Sequence, residues 1–474
     1  MSKRLFANLG FLLQIAGLLT LLPIAIGFIY NESQAVISLF LACVTFLGSG
    51  FLLNAYCERK ELDFKGSNFL FIITFILLPL IGSIPFFYAN PFGSVPGSAN
   101  TLEVFTNAYF ESASGFTTTG FSLIAKPEAL PLSILVYRSM TELMGGVGIV
   151  YLLLAFFQSR KSLSSLSNTF GIDNVSGSLK KTYFSVFAIY SVYILVFTGI
   201  FYALGFTDLI STGTFIIDTL TGGFTPSVDA YGPYLAFAPK FCIILLMLLG
   251  SVNFAFNYHL FTRKLKHAFS TEVFAYLIVI AVGTLALSLA SNIKVLDSLF
   301  HVISMTSSTG QSYIPLGSFG NTGYAILIVL TLIGGCAFSM AGGIRVSRLI
   351  TFAKTIKENV TALWTKEQSV AEPQKPKNEN GSLENLSASV SIVLFIVTFV
   401  VFSIIFTTIG VSFTDALFEV GSAITTNGIS MGITTVAMPI GYKWLMIAAM
   451  TIGRIEILTI IIALFSLKKI NNTR

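Results

Sequence analysis

Charge is what this chain has least of: Asp, Glu, Lys and Arg make up 11% of its 474 residues. Soluble globular proteins carry about 25%, so a water-facing protein of this size is excluded. Histidine (3), cysteine (4) and tryptophan (2) are also scarce. Cys43, Cys57, Cys242 and Cys336 lie scattered in apolar surroundings, and the histidines at 259, 267 and 301 are equally dispersed. Without metal-ligand spacing, neither a zinc site nor a disulfide framework is supported. No paired catalytic set lies inside an apolar stretch, so an enzyme is not expected. A Walker A or G-x-G-x-x-G segment in a soluble βαβ unit is also missing, so no cofactor is expected on this chain. Period-2 alternation is absent, which excludes a membrane β-barrel.

What is present is apolar bulk: 54% hydrophobic residues, a mean hydropathy of +0.81 and 45 Phe. A crossing helix needs about 20 apolar residues. Charge-free stretches run Leu5–Tyr30, Ser33–Cys57, Gly66–Leu102, Thr182–Thr207, Phe241–Thr262, Val273–Ile293, His301–Ile344 and Asn385–Thr414. Pro131–Gln158 and Gly441–Leu467 are as apolar but carry internal charges. One helix per stretch gives an all-α polytopic membrane protein of ten transmembrane helices. The first stretch is too long for a cleaved signal and lacks an A-x-A-type site, so it reads as a crossing.

With both termini on the cytoplasmic side, 22 of the 28 basic residues fall in cytoplasmic loops. Lys126, Arg138, Lys240, Lys294 and Lys443 lie outside or near the outer boundary, and Arg454 lies within a span. The positive-inside bias sets this orientation. The net charge of +6 therefore reports topology, and a nucleic-acid partner has no support. Acids such as Glu111, Asp218 and Glu419 collect on the outer side, either as a cation-attracting vestibule or because Lys and Arg are excluded there. Lys354–Glu384 reads as a polar cytoplasmic linker.

Internal similarity decides the expected architecture. SGFTTTGFS (Ser114–Ser122), DTLTGGFT (Asp218–Thr225), MTSSTGQS (Met305–Ser312) and AITTNGIS (Ala423–Ser430) align on Gly120, Gly223, Gly310 and Gly428. Two residues before each glycine stand Thr118, Thr221, Ser308 and Thr426. Ten before stand Phe110, Phe300 and Phe418, and thirteen before stand Asn107, Asp297 and Asp415; the second copy departs at both. Each repeat reads as a long helix, a short helix of about ten residues, a Thr/Gly segment and a second long helix. Non-helical backbone at membrane depth is tolerated only where it lines a cavity or is buried in protein. Glycine permits positive φ, and rings of backbone carbonyls can replace an ion's hydration shell. The units are a two-helix hairpin (1–62) and four pore repeats (63–165, 166–268, 269–384 and 385–474).

At these residues the chain resembles the Trk/Ktr/HKT superfamily, specifically the TrkH/TrkG-like potassium uptake membrane subunits. RSMTELMGGVGI (Arg138–Ile149), GSVNFAFNYHLF (Gly250–Phe261), IGGCAFSMAGGIRVSR (Ile333–Arg348) and GRIEILTI (Gly453–Ile460) carry the likeness beyond the glycines. The resemblance implies potassium uptake across a bacterial inner membrane by a homodimer with a TrkA-like nucleotide-binding regulator in the cytoplasm. It implies ion-binding positions at Thr118, Thr119, Thr221, Gly222, Ser308, Thr309, Thr426 and Asn427, followed by Gly120, Gly223, Gly310 and Gly428. No metal beyond K⁺ is implied. Glu142-Leu143 departs from the Gln-Trp common in the family, and Gly222-Gly223 departs from the Thr-Gly of the first repeat.

Two features suggest a barrier under the filter. Gly334, Gly335, Gly342 and Gly343, with Ser339, fall in mid-helix, where each glycine costs about 1 kcal/mol against alanine. They read as a gate loop, against close packing through small residues. Arg454 in a span costs about 2.5–3.5 kcal/mol on insertion scales and reads as a pore-facing charge, against a structural ion pair. Arg138 and Glu142, four apart on one helix, are expected to pair. The phenylalanines are expected to face lipid. A K⁺ symporter coupled to H⁺ or Na⁺ stands as the alternative function, with Glu142 and Glu456 its candidate proton sites.

Overall fold

The computed structural model describes residues 2–56, 64–93, 101–156, 179–224, 236–366 and 379–463, almost entirely as helices. They are α1 Ser2–Ile29, α2 Ser33–Ala55, α3 Phe64–Gly82, α4 Ile84–Ala89, α5 Thr101–Phe116, α6 Leu132–Phe156 and α7 Leu179–Ala203. Then follow α8 Leu209–Thr221, α9 Phe237–Ser251, α10 Phe254–Phe261, α11 Leu265–Ala268, α12 Thr271–Ser291 and α13 Val295–Ser307. The last are α14 Gly320–Ile333, α15 Val346–Lys366, α16 Glu379–Thr407, α17 Phe413–Ile424 and α18 Ile440–Ile455, with a final short helix, α19, at Ile457–Ala463.

Seven helices among the described residues are long and apolar enough to cross a bilayer, and nine if each of two bent pairs counts as one span. The bent pairs are α9 with α10, at 113°, and α18 with α19, at 86°. The remaining expected stretch, Pro131–Gln158, forms α6, which carries Arg138 and Glu142. The helix pair α1–α2 packs closely because Gly10 and Gly50 face each other: a Cβ on either would press the other's carbonyl oxygen at 2.8 and 2.7 Å.

Local chemistry sets the short helices α5, α8, α13 and α17. The Asp208 side chain accepts from Ile210 N and Ser211 N to cap α8, and the Ser412 hydroxyl accepts from Asp415 N to cap α17, satisfying N–H groups the helix itself leaves open. At 16, 13, 13 and 12 residues they are longer than the expected ten. A rise of 1.5 Å per residue makes them about 18–24 Å long, still short of the hydrocarbon thickness.

Two expectations change. Lys354–Lys366 belongs to helix α15 rather than to a linker, and residues 367–378 of that stretch lie outside the described ones. Cys57, Thr225 and the basic residues beyond Ala463 also lie outside them. The phenylalanines do not all face lipid: Phe46, Phe86, Phe110, Phe116, Phe121, Phe201 and Phe224 are among the largest fully buried side chains. Rings that size fill the gaps where short helices meet long ones.

Candidate functional site

The four Thr/Gly segments meet end to end. A Cβ on Gly120 would overlap the backbone of Gly223, and one on Gly222 would press Ser308 O at 2.6 Å. One on Gly310 would overlap Asn427 O, and one on Gly428 would overlap Thr119 O. Repeat one thus touches two, two touches three, three touches four and four touches one. The ring is closed backbone to backbone, and side chains at these glycines have no room.

The residues before the glycines turn the chain. Thr118, Ser308 and Thr426 have φ of 54°, 58° and 54°, a left-handed conformation that ordinary residues avoid. In the second repeat Gly222 takes that role with φ 92°, while Thr221 stays helical and donates to Ile217 O at 2.8 Å. Alignment on the glycines therefore sets repeat two out of register at this position, because α8 runs closer to its aligned glycine, ending at Thr221, than α5, α13 and α17 do to theirs. The hydroxyls of Thr118 and Thr426 are buried and meet no partner among the described residues. Buried polar oxygens of this kind suit a partly dehydrated cation.

Carboxylates peg the segments from behind. Glu111 accepts from the Ser122 hydroxyl at 2.9 Å and Leu123 N at 3.1 Å. Glu419, at the same place in repeat four, accepts from Ser430 Oγ at 2.6 Å, Met431 N at 3.1 Å and Ile433 N at 3.3 Å. Both are 0% exposed, so neither faces an open vestibule. Arg138 pairs with Glu111 at 2.8 Å and lies 3.9 Å over the Phe224 ring, and the expected pair with Glu142 does not form. Glu142 instead accepts from Phe224 N at 2.8 Å and from the Thr221 hydroxyl at 3.4 Å. Thr221, the last residue of α8, and Phe224 just beyond it bring these donors within reach, and Arg138 pairs with an acid on α5.

Lysines of the second helices tie neighbouring repeats. Lys443 Nζ donates to Asn107 Oδ1 at 2.8 Å, and Lys240 Nζ donates to Asp297 Oδ1 at 2.9 Å. The two acceptors occupy the same aligned position, thirteen before Gly120 and Gly310.

Against the pre-glycine face of the ring lies the segment between α14 and α15. Gly334 ends α14 with φ 70°. The neck is closed by Ile344 N to Leu332 O at 3.0 Å, Arg345 N to Ile333 O at 2.9 Å and Val346 N to Gly335 O at 3.0 Å. Cys336 N and Met340 N donate to Ser251 O and Gly250 O at 3.0 and 3.1 Å. Ala337 N donates to Glu272 Oε1 at 2.7 Å, and the Ser339 hydroxyl donates to Cys336 O at 2.7 Å. Gly342 N donates to the Ser308 hydroxyl at 3.1 Å, and a Cβ on Gly342 would press Thr426 Oγ1 at 2.5 Å. Met340 reaches repeat one, where a Cβ on Gly146 would press its sulfur at 2.5 Å.

Arg454 is 3% exposed and donates from Nη1 to Met340 O at 3.0 Å. Its Nε and Nη2 meet no acceptor among the described residues, and no carboxylate there pairs with it. Glu456 pairs with Arg345 at 3.0 Å and with Arg348. Met340, Glu272 and Asn253, whose amide reaches Glu272 at 3.4 Å, escaped the sequence reading. Met340 stood inside the quoted glycine-rich motif, and nothing in the pattern marked its carbonyl. Glu272 sits at a helix start, where acids are common for capping alone.

Helices of this length around a ring of re-entrant segments define an all-helical polytopic membrane protein. Residues 268–472 match the family model described as TrkH, cation transport protein. The chain is 27% identical over 96% of its length to an uncharacterized cation transporter of Methanocaldococcus jannaschii, covering 93% of that protein. It is 24% identical to the Trk system potassium uptake protein TrkH of Halomonas elongata, covering 98% of each. The crystal structure of the potassium transporter TrkH from Vibrio parahaemolyticus superposes with a TM-score of 0.80, at 20% identity and 98% of each chain, and so shares the fold. The chain is thus similar to the TrkH cation transport family over residues 268–472 and shares the fold of a solved TrkH.

Proposed function

We propose that the chain conducts K⁺ into the cell through the single-chain ring of four repeats. What supports this reading above all is the backbone closure of Gly120, Gly222, Gly223, Gly310 and Gly428 on their neighbours, with the buried Thr118 and Thr426 hydroxyls beside them meeting no partner among the described residues. Carbonyls and hydroxyls in such a ring can replace the water of an alkali cation. The filter comprises Thr118, Thr119, Thr221, Gly222, Ser308, Thr309, Thr426 and Asn427 with the four aligned glycines. The four repeats follow the hairpin with the boundaries set out from the sequence, in ten crossings with both termini cytoplasmic.

The gate consists of Gly334, Gly335, Ser339, Gly342, Gly343 and Arg454. In this reading the loop blocks the path beneath the filter. Arg454 clamps it through Met340 O and repels cations with a guanidinium that stays charged. Uptake is regulated by a TrkA-like cytoplasmic subunit on a homodimer in the bacterial inner membrane. Of the two acids a coupled symport would use, Glu456 is paired with two arginines, while Glu142 accepts from Phe224 N and shares a side-chain hydrogen bond with the buried Asp218 carboxyl. Liposomes holding the purified chain should take up ⁸⁶Rb⁺ down a gradient, with K⁺ competing well and Na⁺ poorly. Equal K⁺ and Na⁺ flux would sink the reading.

A further inference from the structure

We propose that the Ser308 hydroxyl is shared between the permeating cation and the gate loop, so that ion entry and loop closure oppose each other. The inference rests on the pore reading above.

Of the residues that turn the chain before the ring, three bear hydroxyls. Thr118 and Thr426 keep theirs buried without a partner among the described residues. Ser308 alone gives its oxygen to the loop, as acceptor for Gly342 N at 3.1 Å. Repeat two contributes Gly222 at this place and has no side chain to offer. The loop thus meets the inner edge of the filter through a polar bond in repeat three. It meets the second helix α6 of repeat one through Met340 at Gly146, and the ring in repeat four through Gly342 at Thr426.

A hydroxyl oxygen has two lone pairs, so crowding alone does not force a choice. The conflict is electrostatic. An amide N–H turns its positive end toward the oxygen that a cation at the inner site would use, and buried surroundings strengthen that opposition. A cation drawn to Thr118, Ser308 and Thr426 therefore weakens the Gly342 bond. By reciprocity a closed loop lowers cation affinity at the same place. The transported ion then helps release its own barrier, and a filter emptied of ions favours closure.

Cys336 supplies a reporter that does not depend on transport. It lies in the loop, fully buried, beside the Ser251 carbonyl. With Cys43, Cys57 and Cys242 replaced by serine, alkylation of the full chain by a small uncharged maleimide reads loop release. Replacing N-methylglucamine by K⁺ should speed labelling about fivefold, the weight of one net hydrogen bond. Ser308→Ala should label fast in both cations. Ser308→Thr should restore K⁺ dependence, since Thr118 and Thr426 already hold threonine in the same left-handed conformation. Thr118→Ala removes a filter hydroxyl without touching the Gly342 bond and should keep labelling slow in N-methylglucamine. Native labelling indifferent to the cation, or K⁺ dependence surviving Ser308→Ala, would overturn the proposal. ⁸⁶Rb⁺ uptake by the same preparations tests the pore reading separately: labelling that follows K⁺ without any flux would reject conduction, not the competition.

Discussion

Repeats one and three begin alike and end differently. Both present a short helix, a left-handed hydroxyl residue and a positive-φ glycine: Thr118 and Gly120, Ser308 and Gly310. In repeat one the second helix α6 runs on past the filter, and Gly145 seats the end of the short helix, since a Cβ there would overlap Phe116 O. Gly250 does the same at Leu220 O and Gly453 at Ile424 O. In repeat three α14 stops at Ile333 and its glycines leave the helix to build the loop. Three repeats spend a glycine on holding the ring, and one spends four on covering it. The second helices of repeats two and four also bend, by 113° and 86°, but only in repeat three does the break open into a loop long enough to lie against the ring.

The comparison is broken most severely at the ring. Gly120→Ser places a Cβ into Gly223 at φ 78°, where neither strain nor space allows it. We expect loss of K⁺ over Na⁺ preference and at least a tenfold fall in Rb⁺ uptake, read in liposomes against folded protein. Gly317→Ser, with nothing within 4 Å, is the silent control.

The pegs come next. Glu111→Ala strands Arg138 in a buried site and frees the Ser122 segment. Breaking a buried pair costs about 3–5 kcal/mol, so thermal aggregation in detergent should begin well below that of the native protein. Lys240→Ala, at a partly exposed pair, should lower it by about a quarter as much.

At the plug the sign reverses. Arg454→Gln removes a donor to Met340 O without stranding an acid, so basal Rb⁺ flux should rise about tenfold with ion preference unchanged. Glu272→Gln, which keeps an oxygen for Ala337 N, should change it by less than threefold. Unchanged or reduced flux in the Arg454 variant would place the barrier elsewhere than the loop.

The smallest effect is expected at Glu142. Gln keeps an acceptor for Phe224 N, so Glu142→Gln should alter Rb⁺ uptake by under threefold, whereas Glu142→Ala frees Gly223 and should erode selectivity. Equal behaviour of the two variants would remove Glu142 from the support of the filter.

The sequence by itself determined the helical membrane class and marked the four Thr/Gly segments that meet in the ring. Apolar run length and a repeated Thr/Gly pattern are local properties, written into composition and spacing. It also marked Arg454 and the glycine-rich break, because a lone charge and clustered glycines are costly inside a span wherever they fall. Only the tertiary structure decided who partners whom. Arg138 chose Glu111 over Glu142, four residues away on its own helix, since buried charges pair with the acceptor that packing brings to them and not the nearest in sequence. The one-residue shift that puts Gly222 where Thr221 was expected depends on how far α8 stays helical against α6. The contact of Met340 with Gly146 and Arg454 joins residues from three repeats, and no spacing along the chain encodes that meeting.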